Sequence, residues 1–150
     1  LSDVLGLGKS SRLYVNLVKE QQLFSEINAF VSGSYDNGLL TISGKLSEGV
    51  AFKTAEDALL KELEKLKKAL IVNEELSKVK NKIESTAQFA ETSVLNKAMN
   101  LSFAALLGDA NDVNTEVDKY QKVTAEDINR VANETLKASN CSTLIYAKLK

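Results

Sequence analysis

The chain contains no histidine and a single cysteine, Cys141. Zinc sites, whether catalytic or structural, are built from imidazole and thiolate donors, and one thiol cannot build one. Without histidine the chain also lacks the usual general base near neutral pH. One cysteine excludes an internal disulfide and leaves the redox compartment open. The sequence has no run of about 18 apolar residues that would span a bilayer, and no basic, apolar, small-residue signal pattern opens it. An excess of either charge is missing too. Nineteen basic and 20 acidic residues leave a net charge of −1, so no overall field favours nucleic acid or anionic lipid.

What is present is ordinary for a globular chain: 150 residues, 44% hydrophobic and 26% charged. That length is expected to form one domain, residues 1–150, with a real core. The first residue is Leu1, and Leu1, Val4 and Leu5 have the spacing of a helix cut partway along. The expectation is therefore a fragment, truncated at its N-terminus.

Gly6-Leu7-Gly8-Lys9 forms a short glycine loop, and Ser10 or Ser11 can cap the helix that follows. Leu13 and Leu17 make its buried stripe, with Tyr14 and Val18 beside it. From Glu26 the period becomes two. Ile27, Ala29 and Val31 alternate with polar neighbours, and after the turn cluster Ser34–Gly38 a second run sets Leu40, Ile42 and Leu46 on one face. This predicts an antiparallel hairpin. Thr54-Ala55-Glu56-Asp57 has the pattern of a capping box, followed by Leu59, Leu63, Leu66 and Leu70 at helical spacing, with Asp57–Lys61 and Glu64–Lys68 as outer ion pairs. From Asn73 a helical stripe runs through Leu76, Val79, Ile83, Ala87, Val94, Ala98, Leu101 and Ala105. A break is expected near Ala90–Val94, where Thr92 and Ser93 compete for backbone bonds. A shorter helix over Asn111–Lys122, with Val113, Val117 and Tyr120 inward, precedes a second capping box at Thr124–Asp127 and a helix carrying Ile128, Ala132 and Leu136. Thr143–Ala147 reads as a closing strand that pairs back into the sheet. Three strands are few for so many helices, and further strands are expected before Leu1. The fold class is α+β, an antiparallel sheet covered by helices.

Candidate chemistry is sparse. Gly8-Lys9-Ser10 matches the end of a phosphate loop, but the first glycine of that pattern falls on Asp3, and Leu1–Leu5 looks helical where a strand is required. The carboxylate pairs Glu62/Glu64, Glu74/Glu75 and Asp109/Asp112 fall on solvated faces or helix starts. Ser10 and Ser11 have no histidine to activate them. Cys141 precedes an apolar strand and reads as a buried or edge thiol. The lysines of Lys61–Lys82 alternate with glutamates and lack aromatic neighbours, which argues against a nucleic-acid face.

Three blocks carry a family resemblance: Leu-Gly-Leu-Gly-Lys-Ser-Ser-Arg-Leu-Tyr-Val-Asn-Leu-Val-Lys-Glu-Gln-Gln-Leu (5–23), Asn-Glu-Glu-Leu-Ser-Lys-Val-Lys-Asn-Lys-Ile (73–83) and Val-Thr-Ala-Glu-Asp-Ile-Asn-Arg-Val-Ala-Asn-Glu-Thr-Leu (123–136). The chain resembles the C-terminal, non-catalytic domain of the pitrilysin/insulinase zinc metallopeptidases, the family of the mitochondrial processing peptidases. The resemblance implies a half-domain with no catalytic or metal residues of its own. Zinc would be held by a His-x-x-Glu-His motif in the catalytic half of the parent chain. That half, a homologous subunit and a peptide substrate are the implied partners, with neither nucleic acid nor membrane among them. The resemblance also implies a chamber-facing loop at Gly8, Ser10, Ser11, Arg12 and Tyr14. The family's substrate-clamp arginine and tyrosine fall on Val18 and Ser25, which cannot replace a guanidinium or a phenol. The other reading is a structural or assembly subunit without protease activity. The compartment stays open between periplasm, cytoplasm and organelle.

Overall fold

The computed structural model describes residues 1–33 and 37–147. The expected α+β arrangement is present: helices pack on a two-stranded antiparallel sheet. A short helix α1 (Ser2–Gly6) leads into the glycine loop. Residues 12–13 start a helical turn that widens into a π-helix over Tyr14–Glu20. Strands β1 (Phe24–Ser32) and β2 (Leu39–Leu46) form the hairpin, pairing Ile27 with Gly44, Ala29 with Ile42 and Ser32 with Leu39. The predicted turn residues Ser34, Tyr35 and Asp36 lie outside the described residues.

Helices α2 (Phe52–Lys68), α3 (Asn73–Ala90), α4 (Val94–Leu107), α5 (Glu116–Gln121) and α6 (Ala125–Thr135) follow. Ala110–Asn114 forms a 3₁₀ turn. The core gathers Val4 and Leu5 from α1, Leu13 and Leu17, Phe24, Ile27 and Ala29 from β1, Leu66 from α2, and Ile128 and Ala132 from α6. Leu5, Leu13 and Leu17 are fully buried, each worth about 1.5–3 kcal/mol relative to exposure. Gly6 lets α1 lie against β1: a Cβ there would fall 2.0 Å from the amide nitrogen of Ala29. Helix α6 closes the end of α2 with side chains. Asn129 Nδ2 donates to the carbonyls of Leu66 (2.8 Å) and Lys67 (3.0 Å), two of the acceptors a helix C-terminus leaves unpaired.

The break between α3 and α4 falls where the two hydroxyls placed it. Thr92 Oγ1 donates to the carbonyl of Phe89 at 2.7 Å, and Ser93 Oγ accepts from the amide of Asn96 at 3.3 Å as the cap of α4. The Thr124 capping box also forms, with Asp127 answering the Thr124 amide at 3.0 Å.

Several expectations are corrected. Helix α2 begins at Phe52, so Thr54 lies inside its first turn and caps nothing. Its outer ion pairs are Lys53–Asp57 (2.8 Å) and Lys67–Glu64. Leu70 lies beyond the helix and half exposed. The Asn111–Lys122 segment splits at Thr115, and Tyr120 is 43% exposed. Thr143–Ala147 pairs with nothing among the described residues; Leu144 and Tyr146 are almost wholly in solvent. A β-branched, aromatic segment has strand propensity, but a strand needs a neighbour whose edge it can reach. Cys141 is likewise exposed.

Candidate functional site

The glycine loop is held from below by α3. Arg12 Nε and Nη2 donate to Glu75 Oε1 and Oε2, both at 2.7 Å, a forked pair with side chains 21% and 16% exposed. This bonding raises the Arg12 pKa above its ordinary value, against the opposing effect of burial. One turn on, Lys78 Nζ donates to the carbonyl of Ser10 at 2.7 Å, and after another turn Lys82 Nζ donates to the carbonyl of Leu7 at 3.1 Å. The spacing 75, 78, 82 sets all three on one face of α3, directly under the loop.

Inside the loop, Ser11 does not cap the helix as expected. Its hydroxyl donates to the carbonyl of Gly8 at 2.7 Å, closing the turn on itself. Gly8 has φ +88°, a left-handed conformation that a side chain would strain. Between loop and α3 remains a cavity of about 20 Å³, room for roughly one water and too small for a peptide side chain. Gly8, Lys9 and Ser10 are exposed, Ser11 is buried, and Arg12 and Tyr14 are half-buried. Of the five expected loop residues, therefore, only Gly8 and Ser10 present themselves freely. Arg12 is committed to Glu75.

The π-helix carries Val18. Its wide turns bond the Gln21 amide to the Asn16 carbonyl at 3.1 Å, and the Leu23 amide reaches Leu17 at 2.9 Å after Gln22 turns left-handed at φ 54°. Such helices are rare and recur at functional sites. Val18 packs against the core. Ser25 is the second residue of β1, its hydroxyl donating to the carbonyl of Lys45 at 3.2 Å.

Glu62, expected on a solvated face, is 3% exposed. It receives Asn16 Nδ2 at 2.7 Å and Lys65 Nζ at 2.6 Å, joining α2 to the π-helix through a buried carboxylate. Sequence reasoning missed Glu62, Glu75, Lys78 and Lys82 as neighbours of this helix and loop. The one-face spacing in α3 was available as a signal; nothing local marked Glu62.

The residues present do not suit zinc. The chain has no histidine, and among the described residues no three Cys, Asp or Glu side chains converge as a metal site. No helix of the described residues is long and apolar enough to cross a membrane.

The whole arrangement has counterparts among solved structures. A "putative zinc protease" from Bordetella pertussis Tohama I is 27% identical, with a TM-score of 0.78 over 93% of this chain and 77% of that one. The inactive peptidase domain of such a protease from Bordetella parapertussis is also 27% identical, with a TM-score of 0.79 over 93% and 75%. A protease from Helicobacter pylori shares the fold at 24% identity and a TM-score of 0.84, and the chain spans 34% of its length. No curated protein sequence matches. Residues 1–83, more than half of the chain, match the family model of the peptidase M16 inactive domain, and the chain belongs to that family, the pitrilysin/insulinase peptidases.

Proposed function

We propose that the chain is the non-catalytic C-terminal domain of a zinc metallopeptidase, one that braces the catalytic half of its parent and presents the glycine loop to the peptide chamber between them. The observation that carries this reading is the apolar flank of α4. Val94, Leu95, Phe103 and Leu106 are 82%, 68%, 58% and 76% exposed, and Phe89 just before them is 76% exposed. The main contact of α4 within the chain is the 3₁₀ turn that follows it. A helix this apolar over most of its circumference belongs in an interior, and a contiguous patch of that kind marks an interaction surface. A mating domain supplies the cover. Zinc and the chemistry of hydrolysis belong to that mate, since this chain lacks the donor set.

The test is co-purification of the chain with the His-x-x-Glu-His domain of its parent. Phe103→Asp and Leu106→Asp should break the pair while leaving the chain's own thermal midpoint nearly unchanged, because both side chains are exposed in it. Peptide cleavage by the pair should stop on adding a chelator. Absence of a complex at micromolar concentration refutes the reading. A stable complex that cleaves nothing replaces it with the assembly-subunit alternative.

A further inference from the structure

The face of α3 beneath the glycine loop carries more positive charge than the loop's architecture uses. Lys78 and Lys82 are one turn apart, an arrangement of like charges that works against the helix. Each ammonium has three donors and gives one to a loop carbonyl. Lys78 and Lys82 are exposed, as is Lys9 beside Gly8 in the loop. Lys82 lies over the bare backbone of Gly8: a Cβ at Gly8 would stand 3.0 Å from its Nζ. The two carboxylates lining the same cavity are Glu75, neutralised by Arg12, and Asp3. Lys78 and Lys82 at that cavity face one remaining carboxylate, and Lys9 follows Gly8 directly in the chain, so the charge here is locally positive on a chain whose net charge is −1.

We propose that Lys9, Lys78 and Lys82 form a docking ledge for an acidic stretch of peptide running past Gly8. The inference rests on the reading that this loop faces the chamber, and it adds the charge of the peptide. Nucleic acid is disfavoured as occupant because, among the described residues, none lining the cavity beside Lys78 and Lys82 is aromatic and able to stack a base. The ledge steers and holds by charge, so its contribution falls as salt rises.

The test uses a fluorescein-labelled twelve-residue peptide with four central glutamates, beside the same peptide with glutamines. Titrated against the chain at low salt, the glutamate peptide should bind about five- to tenfold more tightly. Lys78→Gln with Lys82→Gln should erase that preference, while Lys78→Arg with Lys82→Arg keeps it. Lys9→Gln, beside Gly8, should halve it without touching either bond to the loop. Equal binding of the two peptides overturns the ledge, as does a preference that survives loss of the lysine charges. The Gly8 and Ser10 amide resonances separate the two readings. If the glutamine peptide shifts them equally, the ledge falls and the chamber-facing loop stands. If neither peptide shifts them, both fall.

Discussion

The Arg12–Glu75 fork can be weighed by a double-mutant cycle. Each of its two bonds is 2.7 Å long, between side chains roughly four-fifths withdrawn from water. Two unit charges about 4 Å apart attract by about 4 kcal/mol at an effective dielectric near 20. Desolvation and the ordering of two long side chains offset much of that. A coupling of about 1–2 kcal/mol should remain, above the 0.2–1 of exposed pairs. The single variants should be unequal. Glu75 stands in the first turn of α3, where the helix dipole favours a carboxylate whether or not arginine is present. Arg12→Ala therefore leaves a partly compensated charge and should cost about 1.5 kcal/mol. Glu75→Ala removes both the fork and the dipole contact and should cost about 2.5 kcal/mol. The double variant should cost about 2–3 kcal/mol, less than the sum. Urea unfolding of the four proteins, followed by circular dichroism, gives the cycle. Strict additivity, or an Arg12→Ala cost above that of Glu75→Ala, would refute the reasoning.

Gly6→Ala should destabilise by more than about 3 kcal/mol or prevent folding, since its methyl would overlap the Ala29 backbone; Gly49→Ala, with open space around it, serves as the control and should show only the smaller cost of its φ of +77° in thermal melts. Gln22→Gly should stabilise by about 0.5–1 kcal/mol by relieving the left-handed strain at the end of the π-helix, read as a raised urea midpoint. Thr124→Ala should cost about 1 kcal/mol through loss of the α6 cap. Asp127 has its pKa lowered, chiefly by the Thr124 amide and then its hydroxyl. The carboxylate's share of the capping box, Asp127 accepting from Thr124, is therefore complete above the ordinary carboxylate pKa and lost as pH falls through the depressed one. The gap between wild type and Asp127→Ala, which loses the carboxylate itself, should narrow in acid, and a gap constant down to pH 2 would contradict this.

Periodicity made the hairpin, the Leu13/Leu17 stripe and the α3–α4 break legible, because each depends on neighbours a few residues away. Thr124 was legible for the same reason. Thr54 shows the limit of that rule. Its motif equals that of Thr124, yet α2 starts at Phe52, two residues before Thr54, and position within the turn decides whether a hydroxyl can reach an amide. Glu62 was illegible because its partner Asn16 is 46 residues away, and burial of a carboxylate is set by what lands on it. The loop was visible as glycine, serine and arginine. That Arg12 would be occupied by Glu75, 63 residues on, was not. Tyr120 was read inward, and Leu101 placed on an apolar stripe, from helical spacing alone, which does not say whether anything in the same chain covers the stripe.

Thr143-Leu144-Ile145-Tyr146-Ala147 is exposed to water with no charge or proline among its five residues. Segments of that kind are templates for cross-β stacking when they meet their own copies. At high concentration the segment should therefore favour self-association of the chain, and a charge placed within it, as in Ile145→Lys, should suppress that.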